Sequence, residues 1–216
     1  MKILVLPDIH LPYPNWSALK KVAKFNETYQ ADIIIQLGDL IDAKAWSRWP
    51  KDPDDDSAQA EWDKTHDAVL KLAKLFPEMT IILGNHDRRP MAKALEAGLP
   101  KQLVKTLGDV FAIPGWTWHI DSKPLVVDNI VFMHGDEMAG TPGQKASKLG
   151  KSVCQGHTHK ASLTYVNTFQ HQVFGMECGH IADINSIAFR YSAKNPVTSF
   201  TGFAVIDNGV PHLYPL

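Results

Sequence analysis

The residues able to do chemistry fall into five short blocks. In chain order they are Asp8-Ile9-His10, Gly38-Asp39-Leu40-Ile41-Asp42, Gly84-Asn85-His86-Asp87, His134-Gly135-Asp136 and Gly156-His157-Thr158-His159. They offer imidazole, carboxylate and one amide oxygen, but no thiolate. That donor set suits borderline divalent ions such as manganese, iron, nickel or zinc. Asp39 has two oxygens and could bridge two ions, while Asn85 would supply a neutral oxygen to an already anionic site. In Asp8-x-His10 and His157-x-His159 the paired residues are two apart, so on extended backbone both side chains point the same way. The glycines let backbone approach closely. Each block alone is weak, because a histidine after a strand is usually just a polar loop residue. Five in order are far more specific.

Each block follows an apolar run that reads as a strand: Ile3–Leu6, Ile33–Leu37, Met79–Leu83, Ile130–Met133 and Ser152–Gln155. Ligands in α/β sheets sit beyond the carboxyl ends of the strands, so the five loops are expected to converge on one site. Helical spacing runs from Asn15, a capping residue, to Tyr29. Asp56 and Gln59 resemble a capping box opening a helix that reaches about Phe76. Shorter helical segments are expected at Pro90–Ala97 and Pro100–Leu107, ending at Gly98 and Gly108, and at Lys145–Leu149. Asp128-Asn129 and Asn208-Gly209 are hairpin turns. After Gly156 come short β-prone pieces: Leu163–Val166, Phe169–Phe174, Ser186–Tyr191, Thr201–Ile206 and Val210–Tyr214. The N-terminal half thus alternates strand and helix, and the C-terminal half is β-rich. With no repeat or linker, residues 1–216 are expected to form a single domain.

Composition excludes several classes. The 22 basic and 23 acidic residues leave a net charge of -1, which argues against a basic nucleic-acid coat or a polybasic membrane binder. No apolar run approaches the ~20 residues of a membrane span. The apolar stretch at the N-terminus is too short for a signal peptide. Two cysteines, Cys154 and Cys178, make no disulfide framework, so a reduced, cytoplasmic chain is the default and both read as small buried hydrophobes.

The five blocks in this order resemble the calcineurin-like metallophosphoesterases, which carry Asp-x-His, Gly-Asp-x-x-Asp, Gly-Asn-His-Asp/Glu, His and Gly-His-x-His. The resemblance spans residues 8 to 159. It implies an α/β fold in which a two-sheet β sandwich is flanked by helices, a four-layer α/β/β/α arrangement. It also implies two divalent metal ions per chain, manganese first, with iron, nickel or zinc as alternatives. One ion would take Asp8, His10, Asp39 and His159; the other Asp39, Asn85, His134 and His157. His86 would face the leaving group and Asp87 would orient it. Two ions about 3.5–4 Å apart can activate a shared water and clamp the attacking and leaving oxygens.

Departures from the family narrow the substrate. Ala43 follows the second block where the phosphoprotein-phosphatase branch carries Arg-Gly, and Asp87 stands where that branch usually has Glu. These departures look like the small bacterial and phage phosphodiesterase branch. The implied reaction is hydrolysis of a phosphate diester, on a nucleotide or a nucleic-acid end, with a phosphomonoesterase as the alternative. A metal-bound scaffold without catalysis is disfavoured, because no expected ligand is missing and His86 is present. Arg88 and Arg89 are candidate phosphate contacts or solvated helix-start residues. Trp46 and Trp49 could stack a base or cover the core edge. Asp52, Asp54, Asp55 and Asp56 would repel a long polyanion. His180 lies where a hairpin could return to the site and is a candidate substrate contact.

Overall fold

In the computed structural model, residues 1–120, 124–184, 186 and 199–216 are described. Strands β1 (Lys2–Leu6), β2 (Ile33–Gln36), β3 (Met79–Ile82) and β4 (Trp116–His119) run parallel. Parallel neighbours need crossovers, which α1 (Trp16–Tyr29) and α2 (Ala58–Leu75) supply between the first three, and α3 (Arg89–Glu96) and α4 (Leu107–Phe111) before the fourth. The second sheet contains β5 (Leu125–Val127), β6 (Ile130–Met133), β7 (Ser152–Gln155), β8 (Ala161–Asn167) and β9 (Gln172–Cys178), in the order β5-β6-β7-β9-β8. Helix α5 (Pro142–Leu149) connects β6 to β7. The chain then returns to the first sheet. β10 (Gly202–Asp207) pairs antiparallel with β1, and β11 (Val210–Pro215) closes that edge. The first sheet therefore reads β11-β10-β1-β2-β3-β4.

Side-chain alternation along the strands assigns the layers. Leu4 and Leu6 of β1 pack with Leu19 and Val22 of α1 and Val69 and Leu72 of α2. Ile3 and Val5 face the other way, into a core shared with Phe132, Cys154, Phe174 and Met176 of the second sheet. On that sheet's outer face, Val131, Met133, Val153 and Val173 pack with Ala146 of α5. The order is helices, sheet, sheet, helix: the α/β/β/α sandwich.

Several boundaries follow local chemistry that the spacing did not reveal. Ser57, not Asp56, caps α2; its Oγ accepts from Ala60 N at 3.2 Å. The Asp56 carboxylate is taken instead by Lys64 and the Tyr13 hydroxyl. The segment expected as a helix over Pro100–Leu107 is a single 3₁₀ turn at Lys101–Leu103. Helix α4 starts afresh behind a Thr106–Asp109 capping box, which places Gly108 inside a helix rather than at its end. A Thr141–Gln144 capping box likewise starts α5 three residues earlier than expected. Strand β4 was not anticipated. β9 begins after Phe169, which is fully exposed in the preceding turn. Both hairpin turns form, with positive φ at Asp128, Asn129, Asn208 and Gly209. The strand expected at Ser186–Tyr191 lies outside the described residues except for Ser186.

Candidate metal centre

The loops leaving β1, β2 and β3 in one sheet meet those leaving β6, β7 and β9 in the other. They turn sharply to do so. His10, Asp39, His157 and His159 all have left-handed backbone, with φ of 54°, 51°, 77° and 60°. Asp8 and His10, and likewise His157 and His159, are thus not aligned by extended backbone as their spacing suggested. A left-handed turn at each carboxyl end carries the side chains back over the sheet, at a cost of order 1 kcal/mol per residue. The loops brace one another. The Asp39 carbonyl accepts from Ile9 N and His10 N at 3.1 and 2.9 Å. Asp39 Oδ1 accepts from His86 N at 2.8 Å, and Asp8 Oδ2 from His157 N at 3.0 Å. Gly84 and Gly156 are required by this nesting, since a Cβ on the first would strike Asp39 and on the second Asp8.

The donor atoms converge. Asp8, His10 and His159 form one group, Asp39, His134 and His157 a second, and His10, Asp39 and His86 a third; within each, the ligand atoms lie within 4.8 Å of one another. Asn85 Oδ1 is 2.9 Å from His134 Nε2, which is also 3.1 Å from His157 Nδ1. His10 Nε2 and His159 Nε2 are 3.1 Å apart. Outer partners orient the rings. His10 Nδ1 faces Asp42 Oδ1 at 2.9 Å, and His134 Nδ1 faces the Leu37 carbonyl at 3.0 Å. Donation through Nδ1 leaves an Nε2 lone pair turned into the site, as metal-ligating imidazoles require. Imidazole, carboxylate and a neutral amide oxygen, with Asp39 common to two groups, fit divalent cations.

The electrostatics show how strongly the site demands positive charge. Burial alone would push the Asp39 carboxyl up, yet His134, His86 and His10 hold it well below the usual range. Burial disfavours His134 imidazolium, but Asp39 and Asp8 push its pKa up to about 10. At His10 and His157 burial wins instead and lowers the imidazole pKa.

The remaining expected residues divide. His86 is in the site: its Nδ1 is 2.7 Å from the Asp42 carbonyl and 3.1 Å from Asp42 Oδ1. Asp87 does not orient it. Its buried carboxylate accepts from Ile41 N at 2.9 Å and Gly84 N at 2.8 Å, tying the second block to the third. Asp42, left out of the expected site, is the carboxylate that touches both His10 and His86. Arg88 is occupied away from the site, donating to the Leu83 carbonyl and Asp136. Arg89 stands over the site, with Nη1 on the Asp42 carbonyl at 2.9 Å and Nη2 2.9 Å from His86 Nε2. Trp46 packs on the helix-side core, edge-on to Trp62, while Trp49 stays exposed under Arg48. His180 is fully buried beside His159, ring centroids 5.0 Å apart; it accepts from Ala182 N, and burial lowers its pKa to about 4. A buried layer behind the loops was missed: Gln36, Glu61, Lys145, Gln155 and Glu177. Its sequence signal is slight. Gln36 ends a strand of three isoleucines, and Gln155 follows the apolar pair Val153-Cys154.

A family profile described as calcineurin-like phosphoesterase matches residues 1–147. The Gene 54 protein of Mycobacterium phage D29 is 25% identical, covering 100% of this chain and 93% of its own length. The Gene 54 protein of Mycobacterium phage L5 is 24% identical, covering 99% and 91%. Among solved structures, the phosphoesterase YfcE of E. coli aligns at 13% identity and a TM-score of 0.47, covering 96% of this chain and 89% of that one. TT1561 of Thermus thermophilus aligns at 10% identity and a TM-score of 0.47, covering 99% and 98%.

Proposed function

From the premise that the chain belongs to the calcineurin-like phosphoesterase family, we propose that it hydrolyses phosphate diesters with two divalent ions, manganese first. The observation that carries this reading is the convergence of Asp8, His10, Asp39, Asn85, His134, His157 and His159 on one site, with Asp39 in two donor groups. Ions held there supply Lewis-acid polarisation of the phosphate and activation of water. The protein's own part is to position and to balance charge. With Nδ1 held by Asp42, the His86 ring would present Nε2 to a departing oxygen once a bound phosphate draws Arg89 off it. Arg89 puts a guanidinium within 2.9 Å of that atom, where it would grip a phosphoryl oxygen.

The diester preference rests on counting cations. A diester carries one negative charge at phosphorus, whereas a monoester carries about two. Arg88 is engaged by Asp136, which leaves Arg89 of the pair, and Ala43 stands where the phosphoprotein-phosphatase branch carries arginine. A small nucleotide or a nucleic-acid end is the proposed substrate class, with the exposed Trp49 as a stacking surface. Cys154 and Cys178 are buried free thiols with their Sγ atoms 3.3 Å apart, and a reducing, cytoplasmic setting is the proposed location. No helix among the described residues is long and apolar enough to cross a membrane. The test compares kcat/KM for an aryl diester and its monoester at saturating manganese. The diester is expected to be faster. A monoester preference above about tenfold, about 1.4 kcal/mol in transition-state binding, would favour the phosphatase reading instead.

A further inference from the structure

Helix α5 places one cation inside the protein. Lys145 is 1% exposed, and its Nζ donates to the Gly135 carbonyl at 2.6 Å and to Gln155 Oε1 at 2.7 Å. Gln155 Nε2 in turn donates to Glu177 Oε1 at 3.0 Å, joining the paired ends of β7 and β9. The Gly135 loop is held from its other side by Glu137, which accepts from His134 N at 3.1 Å and Gly135 N at 2.7 Å. The sheet face that receives α5 is otherwise apolar, with Val131, Met133, Val153 and Val173. A buried ammonium is costly to desolvate, and a methionine of similar length would pack there without that cost. What the ammonium adds is a tie between strand ends, one residue from His134 and two from His157.

We propose that Lys145 is a positioning residue of the metal centre, holding the loops after β6 and β7 so that His134 and His157 are presented together to one ion. Its ties end at Gly135 and Gln155, next to His134 and His157, while His159, farther along the same loop, turns its Nε2 to Asp8 Oδ2 at 3.1 Å. The proposal rests on the two-ion reading of the site. Residues that orient metal ligands typically change metal affinity by about 10–100-fold when altered.

The test is titration of the metal-free full chain with Mn(II), reading free manganese by electron paramagnetic resonance. Wild type should take two ions. Lys145→Met should weaken one by roughly 10–100-fold and leave the other within about threefold. Lys148→Met, on the exposed side of the same helix, should bind like wild type. Should Lys145→Met fail to fold, Gln155→Met removes the link to β9 and should weaken the same ion. Wild-type affinity for both ions in a folded Lys145→Met, even with a lowered Tm, would make Lys145 merely structural and overturn the proposal. Equal weakening of both ions would do the same. A wild type that binds fewer than two ions would instead remove the two-ion reading itself.

Discussion

The Asp39 carboxylate reaches both ends of the site. Its Oδ2 lies 3.3 Å from His134 Nε2 and 3.8 Å from His10 Nε2, while Oδ1 anchors the His86 backbone. Asp39→Ala should therefore abolish binding of both ions, whereas Asn85→Ala should mainly empty one. Metal analysis of the purified variants decides it, and two retained ions in Asp39→Ala would refute the ligand scheme. His86 occupies a different position. It shares Asp42 with His10 and meets Arg89 at Nε2. His86→Ala should keep its ions yet lose turnover by roughly 10²–10⁴-fold. The loss should shrink for esters with good leaving groups, which need less protonation. An equal loss across leaving groups would speak for charge stabilisation alone.

Between β2 and α2 the chain is held by a side chain that no motif marks. Glu61, in the first turn of α2, is buried and accepts from Lys44 N at 2.7 Å and Ala45 N at 2.6 Å. Those groups follow closely on Asp42, so α2 fixes the strand-end turn that orients two site imidazoles. Glu61→Ala leaves the two donors without this acceptor and should destabilise by about 1–3 kcal/mol in urea unfolding, with Glu61→Gln losing less. A change below about 0.5 kcal/mol, the range of an ordinary surface substitution, would show that the turn holds itself. The strands that carry the five blocks were legible because each is a compact, largely apolar run that leads into glycine, carboxylate or imidazole. The supporting residues were not. Glu61, Lys145 and Gln155 act through partners brought near only by folding, and on their own elements they read as solvent-facing polar residues. Asp87 was misread for the same reason: adjacency to His86 in sequence says nothing about which way a carboxylate turns in a tight loop.

At the scale of the whole molecule, the site is a seam. Neither sheet owns it: Asp8, His10, Asp39 and Asn85 come from one, His134, His157 and His159 from the other. Ions bound by donors from both sheets would tie the two layers together in the folded state alone. Folding should therefore be coupled to metal. At a free ion concentration about 100 times Kd the stabilisation is about 2.7 kcal/mol, which for a chain of this size raises Tm by roughly 5–10 °C. Thermal melts with manganese and with a chelator measure it directly. Equal Tm in both would mean that the sandwich holds without its ions. The layers were expected from the family resemblance alone; alternation along β1, with Leu4 and Leu6 on one face and Ile3 and Val5 on the other, is their physical reason. The closing hairpin of β10 and β11 was recognisable as a hairpin, but nothing in its residues said that its partner would be β1.

That partnership sets a timetable. β1 lies between β2 and β10, and the Met1 amino group reaches Asn208 Oδ1 at 2.9 Å. On the ribosome, residues 2–6 emerge long before residues 202–207. Through that interval the strand that leads into Asp8 and His10 has one edge unpaired, a natural template for a stray strand from another nascent chain. Its permanent neighbour arrives only after every ligand-bearing loop has been made. The protein thus completes the sheet beneath its site only once β10 has emerged, and a message cut short before that strand yields a chain that has all seven candidate ligand residues and an open strand beside the first of them.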